Sequence, residues 1–316
     1  MTMRFGVYLS LQHPIERDPR EMVRERVQFV RRARELGLDS VFAGQHFLVP
    51  DNVQMLQPVP MLARVAAEAG EMMLGTGVLV TTLLNPVEVV ENVSTLAAMC
   101  EGEFVLGVGV GYRSSEDAAF GVSTGRGRVF EDKLVAIRQL LDGERVNASG
   151  VGYDLEDARI TLARQPRPQI WVAAVVDAGV RRAGRAGDTW FVAPMTPVEE
   201  IERQLPLFVE EHAGLPSTLP VMRDAIVAPT DDEAQSLAGP FYSAQGTSYA
   251  GEGEGADGRY VIGSPATAVA SLRRLEQAGV DHVVFRLQRP GIDPAVSRRS
   301  LDLIAHEVIP AYRAGS

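Results

Sequence analysis

A single cysteine, Cys100, stands in a chain of 316 residues. It excludes a disulfide framework within the chain and any metal site built on clustered cysteines. Lysine is as scarce: Lys133 is the only one, and the other 30 of the 31 basic residues are arginine. With 41 acidic residues the formal net charge is −10. The basic footprint of a nucleic-acid binder is therefore missing, and no such partner is expected. No apolar run approaches the roughly 18 residues of a membrane span. The N-terminal stretch MTMRFGVYLSLQHP has neither the apolar core nor the small-residue cleavage site of a secretory signal. A cytoplasmic protein without membrane contact is the expectation. There is no His-Glu-x-x-His, no P-loop and no G-x-S-x-G elbow. Metal ligands and a serine nucleophile are thus not expected.

What is present is ordinary globular material, 46% hydrophobic and 23% charged, in a repeating order. Eight short apolar runs predict strands at Arg4–Leu9, Ser40–Ala43, Met73–Val80, Phe104–Val110, Gln169–Val175, Thr189–Val192, Pro220–Val227 and His282–Leu287. Most are continuously hydrophobic, as strands covered on both faces should be. Between them lie amphipathic helices. Five open on a capping residue followed by proline: Asp18-Pro19, Asn85-Pro86, Thr196-Pro197, Ser264-Pro265 and Asp293-Pro294. Gly37-Leu-Asp, Ala186-Gly-Asp and Gly279-Val-Asp each lead from a helix end through one Asp into a strand. Three such joints suggest one repeated βα unit, and eight strands with helices between them suggest a (β/α)8 TIM barrel. The alternative is a doubly wound open sheet. Two insertions break the pattern. Residues 145–167 form an excursion before strand 5. Residues 229–262, between strands 7 and 8, combine a helix from Asp231 with the tract Gly251-Glu-Gly-Glu-Gly-Ala-Asp-Gly258, read as a loop over the site or a solvated one. The chain reads as one domain, 1–316.

Barrel enzymes place their chemistry at the C-terminal ends of the strands. That filter sorts the five histidines. His212 and His306 fall within outer helices and His282 starts the last strand at the opposite end. His46, after strand 2, and His13, after strand 1, remain, and His46 is the catalytic candidate. Gly107-Val-Gly-Val-Gly111 ends strand 4 instead of opening a first βα turn. A dinucleotide fingerprint is therefore disfavoured. Glycines there let a flat ligand or a neighbouring backbone approach, with Tyr112 and Arg113 in reach. Gly77, inside strand 3, suits a bulge. Leu9, Phe42, Leu79, Phe191 and Met195 suggest an apolar pocket. Arg286, at the end of strand 8, is a candidate for a polar substrate group, because a buried guanidinium otherwise requires an ion pair.

Nearly the whole chain resembles the luciferase-like superfamily of flavin- and deazaflavin-dependent oxidoreductases. The resemblance rests on Leu36-Gly-Leu-Asp-Ser-Val-Phe with Gln45-His46-Phe47, Leu74-Gly-Thr-Gly-Val with Asn85-Pro86, and Leu106-Gly-Val-Gly-Val-Gly-Tyr. Pro168-Gln-Ile-Trp-Val-Ala-Ala174, Arg182-Ala-Gly-Arg-Ala-Gly-Asp-Thr-Trp190 and Ile262-Gly-Ser-Pro265 continue it. It implies a (β/α)8 barrel, usually dimeric, with reduced FMN or the deazaflavin coenzyme F420 at the strand C-terminal ends. It implies a cis-peptide bulge at Gly77-Val78 behind the ring system; on the reading of the glycine run given above, Gly109, Gly111 and Tyr112 would lie near the same ligand. It places His46 facing the reacting ring. It gives Ala173, Ala174, Val175 and Val176 the cofactor phosphate; the strand-end reading, apart from the resemblance, gives Leu9, Phe42 and Arg286 the substrate. The chain departs from the family pattern in places. Ala97 and Glu103 replace an Asp and an Arg before strand 4, and Asn85 stands where many members have His. Val175 and Val176 stand where a serine is common, and Asp177 adds negative charge beside them.

Three functions follow. The leading one is a monooxygenase that takes reduced FMN from a separate reductase and oxygenates a small organic substrate. The second is a deazaflavin-dependent hydride-transfer enzyme. The third is a non-catalytic ligand-binding barrel, motivated by the valines of the phosphate segment and by Gln45.

Overall fold

The computed structural model describes residues 3–122, 125–162, 167–244, 258–289 and 292–315. Eight parallel strands form its centre: β1 (Arg4–Tyr8), β2 (Ser40–Ala43), β3 (Met73–Thr76), β4 (Phe104–Gly109), β5 (Gln169–Ala174), β6 (Thr189–Val192), β7 (Pro220–Val227) and β8 (His282–Arg286). Each pairs with its sequence neighbour, and β8 pairs back onto β1 with Arg4 opposite His282. β4 and β5 join with Gln169 opposite Val105. The sheet is therefore a closed (β/α)8 barrel, and the open-sheet alternative falls. Outer helices follow the strands in turn: α1 (Pro19–Glu35), α2 (Pro58–Ala69), α3 (Pro86–Met99), α4 (Arg126–Leu141), α5 (Asp177–Ala186), α6 (Val198–His212), α7 (Pro265–Gln277) and α8 (Pro294–Leu303). Phe42, Trp171, Phe191 and Met222 fill the barrel interior, with Phe42 stacked on Trp171 at 5.2 Å between ring centroids.

Local chemistry explains the boundaries. Asp18, Asn85, Ser264 and Asp293 accept the backbone N–H groups of Arg20, Val87, Thr267 and Ala295, as helix caps do. Thr196 does not cap: α6 starts one residue later, with Pro197 in the cap position and no side-chain bond. Gly37 takes φ +75°, the left-handed geometry that ends α1. The three repeated Asp joints have one function. Asp39 accepts the Phe5 N–H at 2.7 Å, Asp188 that of Ile170 at 2.7 Å, and Asp281 that of Leu219 at 2.8 Å. Each carboxylate thus bonds an amide at the N-terminal end of the preceding strand or just before it, at the face of the barrel opposite the site.

The insertion before β5 is an antiparallel hairpin, Val146–Gly150 with Tyr153–Ala158. The insertion before β8 contains the expected helix, Asp231–Ala244, and a strand, Tyr260–Gly263, that lies parallel beside β7 and was not anticipated. The glycine-rich tract proposed as a loop over the site lies outside the described residues up to residue 257. β3 is also shorter than the single run Met73–Val80. It breaks at Gly77-Val78, a cis peptide, and resumes as the two-residue strand Leu79–Val80 beside β4.

Candidate active site

The break in β3 is tied to the end of β2. The Gly77 N–H donates to the Ala43 carbonyl at 2.8 Å, and the Gln45 N–H donates to the Val78 carbonyl at 3.0 Å. The Gln45 side-chain oxygen accepts from the Val80 N–H at 3.2 Å. Gln45 thus anchors the bulge, and the glycines around it make room. A Cβ on Gly107 would lie 1.8 Å from the Thr76 carbonyl, and one on Gly109 2.8 Å from the Val78 side chain. The G-x-G-x-G run therefore serves first to let β4 press against the bulge.

Above this floor, at the C-terminal end of the barrel, lies a cavity of about 690 Å³. Gly77, Val78, Gly109, Gly111, Tyr112, Ala173, Ala174, Val175 and Val176 all line it, as do His46 and Arg286. Leu9 and Phe42 do not: both are fully buried, Leu9 among the barrel and helix side chains and Phe42 beneath the floor. A residue at the top of a strand faces the barrel interior or the helix layer, and sequence position alone does not separate the two. Phe191 and Met195 reach the cavity, whereas Leu79 is core.

His46 is held on three sides. Its Nδ1 lies 3.2 Å from Glu116 Oε1, and the same oxygen accepts the Phe47 N–H at 2.8 Å. Glu116 is 1% exposed. Gln57 donates to the His46 carbonyl at 3.0 Å. The Tyr112 hydroxyl lies 3.4 Å from His46 Nε2, the two rings edge to face. Burial, then the nearby Arg113 charge, push the His46 pKa below its ordinary value, against the opposing pull of Glu116. The imidazole is neutral at neutral pH. With a carboxylate on the Nδ1 side, the proton sits on Nδ1 and the Nε2 lone pair faces the cavity and the Tyr112 hydroxyl.

The opposite side of the cavity is the start of α5. Val176 is the cap residue, and Val176, Ala178 and Gly179 line the cavity at the helix N-terminus. Asp177 is absent from that lining. Arg203 and Gln204 bind its carboxylate and hold its pKa down to about 2. The negative charge that threatened the phosphate segment is therefore engaged by α6. Arg182, one turn along α5, lines the cavity and pairs with Glu131 at 3.0 Å. Two further arginines at the start of α4 stand outside the lining: Arg126 pairs with Asp117, and Arg128 is exposed beside Asp132. Arg286 is ion-paired as well as cavity-lining, with Asp224 at 2.5 and 2.6 Å, and Arg289 joins the same carboxylate at 3.2 Å. Among the described residues there is no cluster of metal-ligating side chains.

Glu116 and Arg182 are the site residues that sequence reasoning missed; Gln45 was singled out, but not for the bulge it anchors. A flat floor of glycines and alanines, a neutral histidine on one rim, and a helix N-terminus with an arginine on the other fit a planar ring bearing an anionic tail. Fold and site together define an oxidoreductase barrel of the flavin and deazaflavin type. The chain belongs to the luciferase-like monooxygenase family, whose model matches residues 3–282. It is 36% identical to an F420-dependent glucose-6-phosphate dehydrogenase of Kineococcus radiotolerans over 51% of this chain and 49% of that protein. It is 27% identical to the enzyme of the same name from Amycolatopsis mediterranei over 92% of this chain and 95% of that one. Among solved structures it resembles the monooxygenase RslO1 of Streptomyces bottropensis, with a TM-score of 0.83 and 22% identity over 98% of this chain and 100% of the other. It also resembles an F420-dependent secondary alcohol dehydrogenase in complex with an F420-acetone adduct, with a TM-score of 0.80 and 19% identity over 99% and 100%. Among the described residues no helix is long and apolar enough to cross a membrane.

Proposed function

We propose that the protein is a deazaflavin-dependent oxidoreductase that interconverts a small secondary alcohol and its ketone. The observation that carries this reading is His46, a neutral imidazole backed by a buried carboxylate on the rim of an apolar cavity. Such a group is a general base for a hydroxyl proton. The names of the relatives support the deazaflavin over reduced FMN: the dehydrogenases that match this chain at the level of sequence are called F420-dependent. The likeness to the individual monooxygenase RslO1 is one of fold, at 22% identity. The reductase partner expected with reduced FMN is then not required.

Gly77, Val78, Gly109, Ala173 and Ala174 would hold the ring, and the N-terminal amides of α5 with Arg182 would hold the anionic tail. When bound, the deazaflavin supplies the hydride acceptor. His46 Nε2 takes the hydroxyl proton as the alcohol carbon gives up its hydride, so a carbonyl replaces the C–O–H group. Glu116 keeps the Nδ1 proton in place and stabilises the imidazolium that results. The Tyr112 hydroxyl, now beside Nε2, yields that position to the substrate hydroxyl.

The substrate class follows from the walls. Val80, Val110, Phe191, Met195 and Met222 are apolar. The one lysine, Lys133, is absent from the lining; of the two lining arginines, Arg286 is paired with Asp224 and Arg182 is assigned to the cofactor tail, so neither is left to a substrate phosphate. An apolar alcohol fits these walls better than a sugar phosphate.

The test is a titration with oxidised and reduced forms of F420 and FMN, followed by anaerobic assays with secondary alcohols and with glucose 6-phosphate. Loss of deazaflavin absorbance with an apolar alcohol is expected. Tighter binding of reduced FMN, with substrate-dependent oxygen uptake, would restore the monooxygenase reading. Binding of neither cofactor would leave a ligand-binding barrel. Native mass measurement in the same samples tests the homodimer that the family resemblance implies.

A further inference from the structure

Beside the active site, at the same end of the barrel, lies a second cavity of about 430 Å³ between the loop after β1, α1 and the segment after β8. Arg26 reaches it from α1. The inner stripe of that helix is otherwise Met22, Val27, Phe29, Val30 and Ala33, and Arg26 is itself only 6% exposed. Its guanidinium donates to His13 Nε2, from Nε at 3.3 Å and from Nη2 at 3.1 Å. Among the described residues no carboxylate forms an ion pair with it. Glu25 acts on it only at a distance and is bound to Arg17, so burial still lowers the Arg26 pKa to about 10, and the other acid on the wall, Asp293, caps α8 through the Ala295 N–H. Burial, then the charges of Arg26 and Arg17, drive His13 down to about 3, so it meets Arg26 as a neutral acceptor.

A guanidinium in a core position without a carboxylate is a poor contributor to stability, and an apolar side chain of similar size would serve the helix better. Its retention is explained if the charge is used by something that enters the cavity. Arg17 and Arg289 stand on the same wall, with Ser10, Gln12 and Gln288 as neutral hydrogen-bonding groups. A planar fork of N–H donors matches the two oxygens of a carboxylate or phosphate, and the volume suits a small organic anion. We propose that this second cavity binds a small molecule through a carboxylate or phosphate group, with Arg26 as the principal contact. The site is separate from the cofactor cavity. The two share no lining residue, and Asp224 stands between them, bonded to Arg286 on one side and Arg289 on the other.

The experiment is a thermal-shift and calorimetric titration of the full chain with sodium phosphate and, separately, sodium acetate, against sodium chloride at equal ionic strength. A saturable rise in Tm with at least one of the two is expected, and the arm that responds identifies the group. Arg26→Met should keep or raise the Tm in chloride while weakening the anion response by about tenfold or more. If that variant does not fold, Arg26→Gln serves in its place. Arg182→Met separates this site from the cofactor cavity: its phosphate response at the second cavity should persist. No saturable response in the native chain would overturn the proposal. A response that survives at Arg26 and disappears at Arg182 would overturn it equally, whatever the cofactor proves to be.

Discussion

His46 sits between a carboxylate and a guanidinium that pull its proton affinity in opposite directions. The neutral form is the base, so activity should fail on the acid side as the imidazole protonates. Glu116→Gln removes the charge that favours protonation, and the acid limb of the kcat profile should move to lower pH while kcat falls. Arg113→Met removes the opposing cation, and the limb should move to higher pH. Two shifts in the same direction would exclude the arrangement described. His46→Ala should cost about 10²–10⁴ in kcat and leave deazaflavin binding intact, measured by fluorescence titration. Much of this rim was legible in the sequence, because His46, Tyr112 and the 173–176 segment directly follow or end strands. Glu116 was not: it reaches His46 across 70 positions of chain, and nothing in a short surface helix marks one acid as buried. Arg182 was hidden for a similar reason, lying one helical turn beyond the segment that was noticed.

Among the elements, the Asp joints show how a sequence repeat becomes a device. Asp281 accepts from both the Leu219 N–H and the Thr218 hydroxyl, so Asp281→Ala leaves two partly buried donors without their charged acceptor. A loss of about 1–3 kcal/mol is expected from urea unfolding. His282 begins β8 in the barrel core, bonded to Ser40 at 2.8 Å and pushed down to about 3 by burial. The unfolded chain takes up a proton there below about pH 6.5, and the folded barrel does not until about 3. The stability it contributes is therefore complete above about pH 6.5 and declines as pH falls toward 3. The slope approaches about 1.4 kcal/mol per pH unit for each such histidine. His13 titrates in the same window. His282→Gln should flatten the urea midpoint between pH 6.5 and 4.5 without abolishing its slope. Strand positions were readable to within a residue or two because doubly covered strands are hydrophobic throughout. The split in β3 was not readable as two strands from hydrophobicity alone, since a bulge keeps its apolar residues. The strand Tyr260–Gly263 was absorbed into an insertion whose neighbouring glycines and acids dominate its composition.

At the scale of the whole molecule, the ring closes through β8 with β1 and through β4 with β5, so the first and last parts of the barrel depend on each other. If this mutual dependence makes the chain unfold as one unit, calorimetry should show one cooperative transition; two resolved transitions would contradict it. The closed ring was inferable from the count of eight strands and the recurring joints. The second cavity was not, because it forms only where the loop after β1 meets the chain returning after β8.

Lys133 is 3% exposed on α4, its ammonium donating to the Thr82 carbonyl at 2.7 Å, and Cys100 is buried as well. The folded surface therefore presents no lysine to acylating esters and no thiol to maleimides. Lys133 should acquire an acyl label only when the packing of α4 against the loop after β3 opens, so the rate of its modification reports that opening directly. For the same reason one cysteine placed on an outer helix would be a unique exposed thiol for attaching a dye or a solid support.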